Sequence, residues 1–406
     1  MNKQISCTFI LILIISVSAP LAAQQDSVIL DLPEIIDLAI QNNASLRAGA
    51  LEVDRQEELV RQGYNWDKTG LFYHYDENNI AENGFPVRVW GVRQSFAFPT
   101  VYNASKQALM ANVSLTRHEY TLREFELKKQ VSRAFHQLGY YSELQKRFVY
   151  LDSLYRNFST AARRRFETGE SNYLERITAE AKMKEVELMM NKNRQELASA
   201  RLELQTRIQS DSLIGIPDDS FRKTVPPQSA EFSIHPGVEI WNAYEEMADW
   251  QTRTARNQLL PDLQLSYFQG TNNQPESKVY QGFEVGIAVP LLYGTQKGQI
   301  RAGRIQQNIY SRQKENYLIG LESQQKILQN KLAQIQESLD YYENNGQTLS
   351  REIIRASERS FQEGEIDYFQ FIQSIDNAVR IEMTYLESLL NYNLTAVELQ
   401  YLTNKP

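Results

Sequence analysis

The chain has 406 residues, with 43 Lys plus Arg against 50 Asp plus Glu and a formal net charge of −7, a balance that gives no reason to propose nucleic acid as a partner. Glycine (18) and proline (12) are scarce while tyrosine (22) is abundant, which favours long helices over several globular domains. The single cysteine, Cys7, excludes an internal disulfide, and no run after residue 23 approaches 18 apolar residues, so no membrane-crossing helix is expected.

Residues 1–23 read as a secretory signal peptide: Lys3, an apolar run from Ile5 to Val17, and small residues ending at Ala22-Ala23, with an uncleaved anchor as the alternative because Leu21 is large for the third position before the cut. Cys7 lies inside that run, so the mature chain is expected to carry neither a thiolate ligand nor an N-terminal lipid. A first unit, 24–209, opens at Asp31-Leu32-Pro33-Glu34, a capping side chain followed three residues later by an acid, which predicts a helix over about 34–62. Two strands follow, about 69–77 and 87–98. Leu71, Tyr73 and Tyr75 share one face of the first, and Val92, Phe96 and Phe98 one face of the second, with Gln94 interrupting. Helices are then predicted over about 100–167 and 171–208.

Residues 210–233, with Pro217, Pro226 and Pro227, form a linker. The second unit, 234–406, repeats the order: a helix over 236–257, strands about 262–269 and 279–289, and helices about 293–362 and 366–403. Leu263, Leu265 and Tyr267 face one way on the first of these strands while Gln264 and Ser266 face the other. Phe283, Val285, Ile287 and Val289 alternate with Glu284, Gly286 and Ala288 on the next. Strands of nine to twelve residues can cross a bilayer when tilted, and a soluble two-sided sheet is the competing reading. Seventy helical residues would extend about 100 Å, so these helices must pack lengthwise on other helices. Leu318, Leu321, Gln325, Leu328, Leu332, Ile335, Leu339 and Tyr342 alternate spacings of three and four, a coiled-coil seam with one polar position.

The two units are copies. Ala161-x-x-Arg164-x-Phe166-x-x-Gly169-Glu170-x-x-Tyr173 returns 195 residues on as Ala356-x-x-Arg359-x-Phe361-x-x-Gly364-Glu365-x-x-Tyr368, and Pro99-x-x-Tyr102-x-x-x-Lys106 returns 191 residues on at Pro290, Tyr293 and Lys297, with Gly91 answering Gly282. Each Gly-Glu pair is expected at the tip of a helical hairpin, where glycine supplies the left-handed conformation that ends the incoming helix. Four amphipathic strands cannot close a membrane barrel, and an open sheet would leave unpaired edges in lipid. If the strands enter a membrane, the chain must oligomerise, and a trimer would supply twelve strands.

This order of elements resembles the outer-membrane efflux protein family typified by TolC over essentially the whole mature chain. The segment Arg359-x-Phe361-x-x-Gly364-Glu365-Ile366-Asp367-Tyr368-Phe369 is similar to the tips of the branch serving heavy-metal pumps of the resistance-nodulation-division class. The resemblance implies a mainly α fold with a small β part, in which a duplicated unit builds a trimeric 12-stranded outer-membrane β-barrel continued by a periplasmic α-helical barrel. It implies outer-membrane lipid around the barrel, and a periplasmic adaptor (membrane fusion protein) and inner-membrane pump docked at the tips. Its function would be an outer-membrane exit duct of a tripartite efflux system, with heavy-metal cations as a candidate cargo. Gly169, Glu170, Gly364 and Glu365 are then the candidate adaptor contacts. In TolC, carboxylates six and nine positions after the second tip glycine narrow the pore. Here those positions are Gln370 and Gln373, so Glu175, Asp367 and Asp376 join them as candidates for a pore ring, with a solvated helix face as the alternative for each. Many metal-pump relatives carry an N-terminal lipid on a mature cysteine, which is not expected here, so anchoring would rest on the barrel alone.

No enzymatic constellation accompanies these features. His74, His118, His136 and His235 are scattered; His118 and His136 fall on one helical face but about 27 Å apart, too far to share a metal. No cofactor or metal is expected, and the reading is a passive, gated conduit. A periplasmic coiled-coil adaptor or scaffold is the alternative, and the duplicated apolar-faced hairpins favour the channel.

Overall fold

The computed structural model describes residues 28–77, 84–210, 214–227, 232 and 235–403. The expected signal peptide, 1–23, lies outside them, as do stretches of the 210–233 linker. The architecture is mainly helical with a small sheet at one end. In the first copy the order is β1 (Val28–Ile29), α1 (Leu32–Asn42), α2 (Ala44–Leu59), a 3-10 turn (Val60–Tyr64), β2 (Gly70–Asp76), β3 (Val87–Phe96), α3 (Pro99–Glu167) and α4 (Tyr173–Ile208). After β4 (Ile214–Gly215) the second copy gives α5 (Pro236–Asn257), β5 (Asp262–Thr271), β6 (Tyr280–Ala288), α6 (Gly294–Tyr341), a π-helical segment (Tyr342–Gly346), α7 (Gln347–Gln362) and α8 (Tyr368–Leu402). Among the described residues no helix is long and apolar enough to cross a membrane.

Two helices expected to be continuous are interrupted. The helix predicted over 34–62 is α1 and α2, because Asn43 adopts an extended ψ of 114° and its Oδ1 accepts from the Leu46 amide at 3.1 Å. An asparagine that caps a new helix competes with continuing the old one. The stretch predicted over 293–362 is broken by the π segment, and the seam shows why. Continued alternation after Tyr342 and Gly346 would bury Leu349, Ile353 and Ala356. Instead Ser350 and Ser357, one residue later, are buried and Leu349 is exposed. One extra residue sits in the helix, and a wider π turn absorbs it. By contrast α3 is a single helix of 69 residues.

The sheet is antiparallel throughout, in the order β2-β3-β5-β6. Directly opposed residues share a face, so register fixes what each side presents. Leu71, Val92, Tyr267 and Phe283 form one row; Phe96, Leu263 and Ile287 form another. This face is open to solvent in the single chain, with Leu71 81% and Phe283 77% exposed. The other side mixes glycines and polar side chains with a few rings. Its central row is Phe72, Gly91, Phe268 and Gly282, in which a Cβ at Gly282 would meet Phe268 Cζ at 2.5 Å and one at Gly91 would meet Phe72 Cζ at 2.6 Å. Each phenyl ring therefore lies across its glycine neighbour. Among the described residues the outer edges of β2 and β6 pair with no further strand.

From the sheet the helices run away as two hairpins. α3 packs on α4 and α5, α5 on α6, and α8 on α6, α7 and α3. Midway along, Ile35 and Ala39 of α1 join Val131, Phe135 and Leu138 of α3 and Leu204 and Ile208 of α4 in one buried cluster. The linker is part of this girdle. β4 pairs in parallel with β1, and Phe221 packs with Leu339, Leu389 and Tyr392. Fully buried Asn393 accepts from the Thr224 amide at 2.9 Å and donates to the Arg222 carbonyl at 2.8 Å. His136, also buried, places Nε2 3.3 Å from Thr224 Oγ1, and burial lowers its pKa from the ordinary imidazole value to about 4.

Candidate functional site: the hairpin tips

The two tips are built alike from their backbones outward. Gly169 (φ +79°) and Gly364 (φ +75°) take the left-handed conformation. The amides of Glu170 and Glu365 reach back to the carbonyls of Arg165 (2.8 Å) and Ser360 (2.9 Å), and those of Gly169 and Gly364 to Phe166 (3.1 Å) and Phe361 (3.2 Å). This double reversal satisfies carbonyls that a helix end leaves open, and glycine pays no Cβ penalty for it. Glu170 and Glu365 stand exposed at the apex. Glu365 accepts from Ser360 Oγ at 3.0 Å.

The return helices start differently. Asn172 Oδ1 caps α4 by accepting from the Glu175 amide at 2.8 Å. Asp367 and Gln370 form a reciprocal box on α8: Asp367 Oδ1 accepts from the Gln370 amide at 2.8 Å, and Gln370 Oε1 from the Asp367 amide at 3.1 Å. Both side chains of this pair, considered above for a pore ring, are thus engaged in capping. Glu175 is largely covered and lies 3.3 Å from Arg165. Arg176 spreads over the rings of Phe166 and Tyr173 at 5.3 and 5.2 Å. Gln373 is exposed and lines a groove of 330 Å³ with Thr178, Phe369, Ile372, Asn377 and Arg380.

Asp376 is the polar centre of the contact between the two hairpins. Tyr155 of α3 donates its hydroxyl to Oδ1 at 3.0 Å, and Lys182 of α4 reaches Oδ2 at 2.9 Å while also bonding Glu185 at 3.0 Å. Tyr155 is 1% exposed, and burial, with Asp376 beside it, pushes its phenol far above the usual range. Below this cluster Phe158 stacks on Phe371 with centroids 4.2 Å apart, Phe361 lies 5.3 Å from Phe158, and Ala162 and Ala179 pack against Tyr368. Tyr155 and Lys182 escape a motif search because neither belongs to the repeated tip. The signal in the sequence is the mismatch between copies: the position 195 residues after Tyr155 is Ser350. Among the described residues no group of three His, Cys, Asp or Glu could hold a metal ion.

A sheet of four strands continued by two helical hairpins with paired glycine tips is the fold of outer-membrane efflux channels. Solved structures of this class match almost the whole chain. CusC, described for the conformational changes of folding and transmembrane channel formation, is 16% identical with a TM-score of 0.76 over 93% of each chain. The CmeC outer-membrane channel of Campylobacter jejuni is 12% identical, with a TM-score of 0.74 over 92% of this chain and 85% of that one. The MtrE outer-membrane channel of Neisseria gonorrhoeae, in its open state, is 15% identical, with a TM-score of 0.71 over 92% and 88%. No protein-family model matches the sequence. No curated protein matches it either.

Proposed function

We propose that this protein is the outer-membrane exit duct of a tripartite efflux system, a passive conduit and not an enzyme. The observation that carries the proposal is the sheet: one face apolar and exposed on all four strands, with two unpaired edges, at the end of helices about 100 Å long. Unpaired edges in lipid are costly, and three copies joined β6 to β2 form a closed antiparallel wall of twelve strands. The helical hairpins then line a periplasmic tube, and the sheet face that carries Gly91 and Gly282 lines the bore. A coiled-coil scaffold has no use for the exposed apolar sheet face.

The tips are the docking point for a periplasmic adaptor, with Glu170 and Glu365 as its exposed contacts, and for a pump of the resistance-nodulation-division class beyond it. The gate lies where α8 meets α3 and α4, and among the described residues Gln373 is the proposed pore residue whose side chain is engaged in no cap or ion pair. The tip segment shared with the metal-pump branch points to metal cations as cargo. Extraction of a detergent-stable trimer from outer membranes, with conductance in planar bilayers, tests the duct. A soluble monomer without conductance overturns it. Sensitivity of a deletion strain to metal salts against organic toxicants tests the cargo.

A further inference from the structure

The π segment Tyr342–Gly346 divides a helix whose counterpart, α3, is unbroken; between the matched pairs Lys106/Lys297 and Ala161/Ala356 the second copy is four residues longer, the offset rising from 191 to 195. The segment is closely fitted. A Cβ on Gly346 would come within 2.9 Å of Tyr342 Cδ1 and 3.1 Å of Ile381 Cγ2, and Glu343 lies 3.8 Å from Lys223 of the linker. Beyond it α7 packs through Ile354 and Phe361, both partly buried against the core, while its two buried residues are the serines Ser350 and Ser357, where the matching positions of α3 are Tyr155 and Ala162. Ser350 Oγ sits 3.1 Å from both the Ala378 carbonyl and Glu382 Oε1. One residue out of phase, α7 carries a second stripe, Leu349, Ile353 and Ala356, which continues the α6 seam without interruption; Leu349 (44%) and Ala356 are exposed and Ile353 is half-buried.

We infer that α7 is a two-register helix. With the extra residue held at Tyr342–Gly346, the serine stripe faces α8. If the wide turn migrates to the tip end, α7 becomes continuous with α6, turns by about 100° and advances about 1.5 Å, the angle and rise of one residue. The second register exchanges the hydrogen bonds of Ser350 and the packing of Ile354 for burial of Leu349 and Ile353 against α8. π turns inside α-helices are a recurrent means of accommodating one residue at functional sites, and packed interfaces respond to such a shift in discrete steps. The shift would turn the incoming helix of the second tip while α3 and the Tyr155–Asp376 contact stay fixed. This regulation rests on the channel reading given above, since the shift would then alter the gate.

The test uses the full chain with two cysteine pairs, S350C/A378C for the observed register and L349C/A378C for the second; the chain's own cysteine is Cys7. Oxidative cross-linking is expected to capture both pairs, and deletion of Asn345, which removes the extra residue, is expected to abolish the L349C/A378C product while leaving S350C/A378C. Capture of S350C/A378C alone in the undeleted chain overturns the inference. So does a Leu349→Cys thiol that a maleimide labels in the monomer but not in the trimer, because a neighbouring copy then covers that stripe. The cross-linking result does not depend on conductance. An undeleted protein that cross-links in both registers but conducts nothing defeats the duct and leaves the register shift standing.

Discussion

The Tyr155 hydroxyl lies 3.0 Å from Asp376 Oδ1, joining the first helical hairpin to the return helix of the second, with Lys182 closing on the other carboxylate oxygen at 2.9 Å. The carboxylate, which in sequence resembled a free pore charge, is held from two sides by the neighbouring hairpin. Removing the hydroxyl with Tyr155→Phe is expected to lower stability by about 0.5–1.5 kcal/mol, the net value of one hydrogen bond. Lys182→Met should act through the same carboxylate. A double-mutant cycle by denaturant unfolding is expected to show non-additivity, and strict additivity would separate the two contacts.

His136 makes stability depend on pH in a defined window. Burial depresses its folded pKa to about 4, against about 6.5 in the unfolded chain. The neutral ring contributes fully above pH 6.5. As pH falls, the unfolded chain binds the proton first, so stability declines between pH 6.5 and 4 and levels off below. The shift corresponds to an upper value of about 3 kcal/mol. Thermal melts across this range should show the decline, and His136→Gln should flatten it.

Asn393 ties the linker to the helices through the Thr224 amide and the Arg222 carbonyl. Asn393→Ala leaves two backbone groups unpaired in a buried site and is expected to destabilise by about 2–4 kcal/mol. Limited proteolysis should then cut within 217–227 first. A linker as resistant as in the unaltered protein would contradict this.

At the tips, Gly169→Ala and Gly364→Ala meet no atom within 4 Å, so their effect is conformational only. Each should cost about 1 kcal/mol, and the Asn variants less, because asparagine tolerates the left-handed region. A melting temperature that falls equally for Asn and Ala would point to a different cause.

In the sheet, Gly282→Ala drives the Phe268 ring off its neighbour and is expected to destabilise by about 1–3 kcal/mol as overpacking. Adding Phe268→Ala should recover part of that loss. Independent, additive effects would show that the ring does not rest on the glycine.

Much of this fold is local and therefore readable along the chain. Period-two alternation at Leu71, Tyr73 and Tyr75 and at Phe283, Val285 and Ile287 exposes the strand faces, because side chains alternate whatever lies next to the strand. Gly169 and Gly364 mark the tips, because one residue type relieves the left-handed turn. The Asp31 start of α1 and the Asp367–Gln370 box are likewise contained within four residues. The copied motifs 195 residues apart placed the hairpins in equivalent roles without any tertiary knowledge.

The partners of the polar side chains were decided by tertiary structure alone. Nothing near Asp376 in sequence distinguishes a pore carboxylate from one bonded to Tyr155, 221 positions away. Glu175 met Arg165 only after the chain had reversed, and Asn393 reached the linker only through the packing of α8. The break at Asn43 and the π turn at Tyr342–Gly346 were also beyond a periodicity count, because a single residue out of phase is a small local perturbation. Its position is settled by the helix on which the next turn must pack. Hydrophobic alternation is written into each strand and helix separately, whereas a charge takes its meaning from whatever the fold brings within about 3 Å of it.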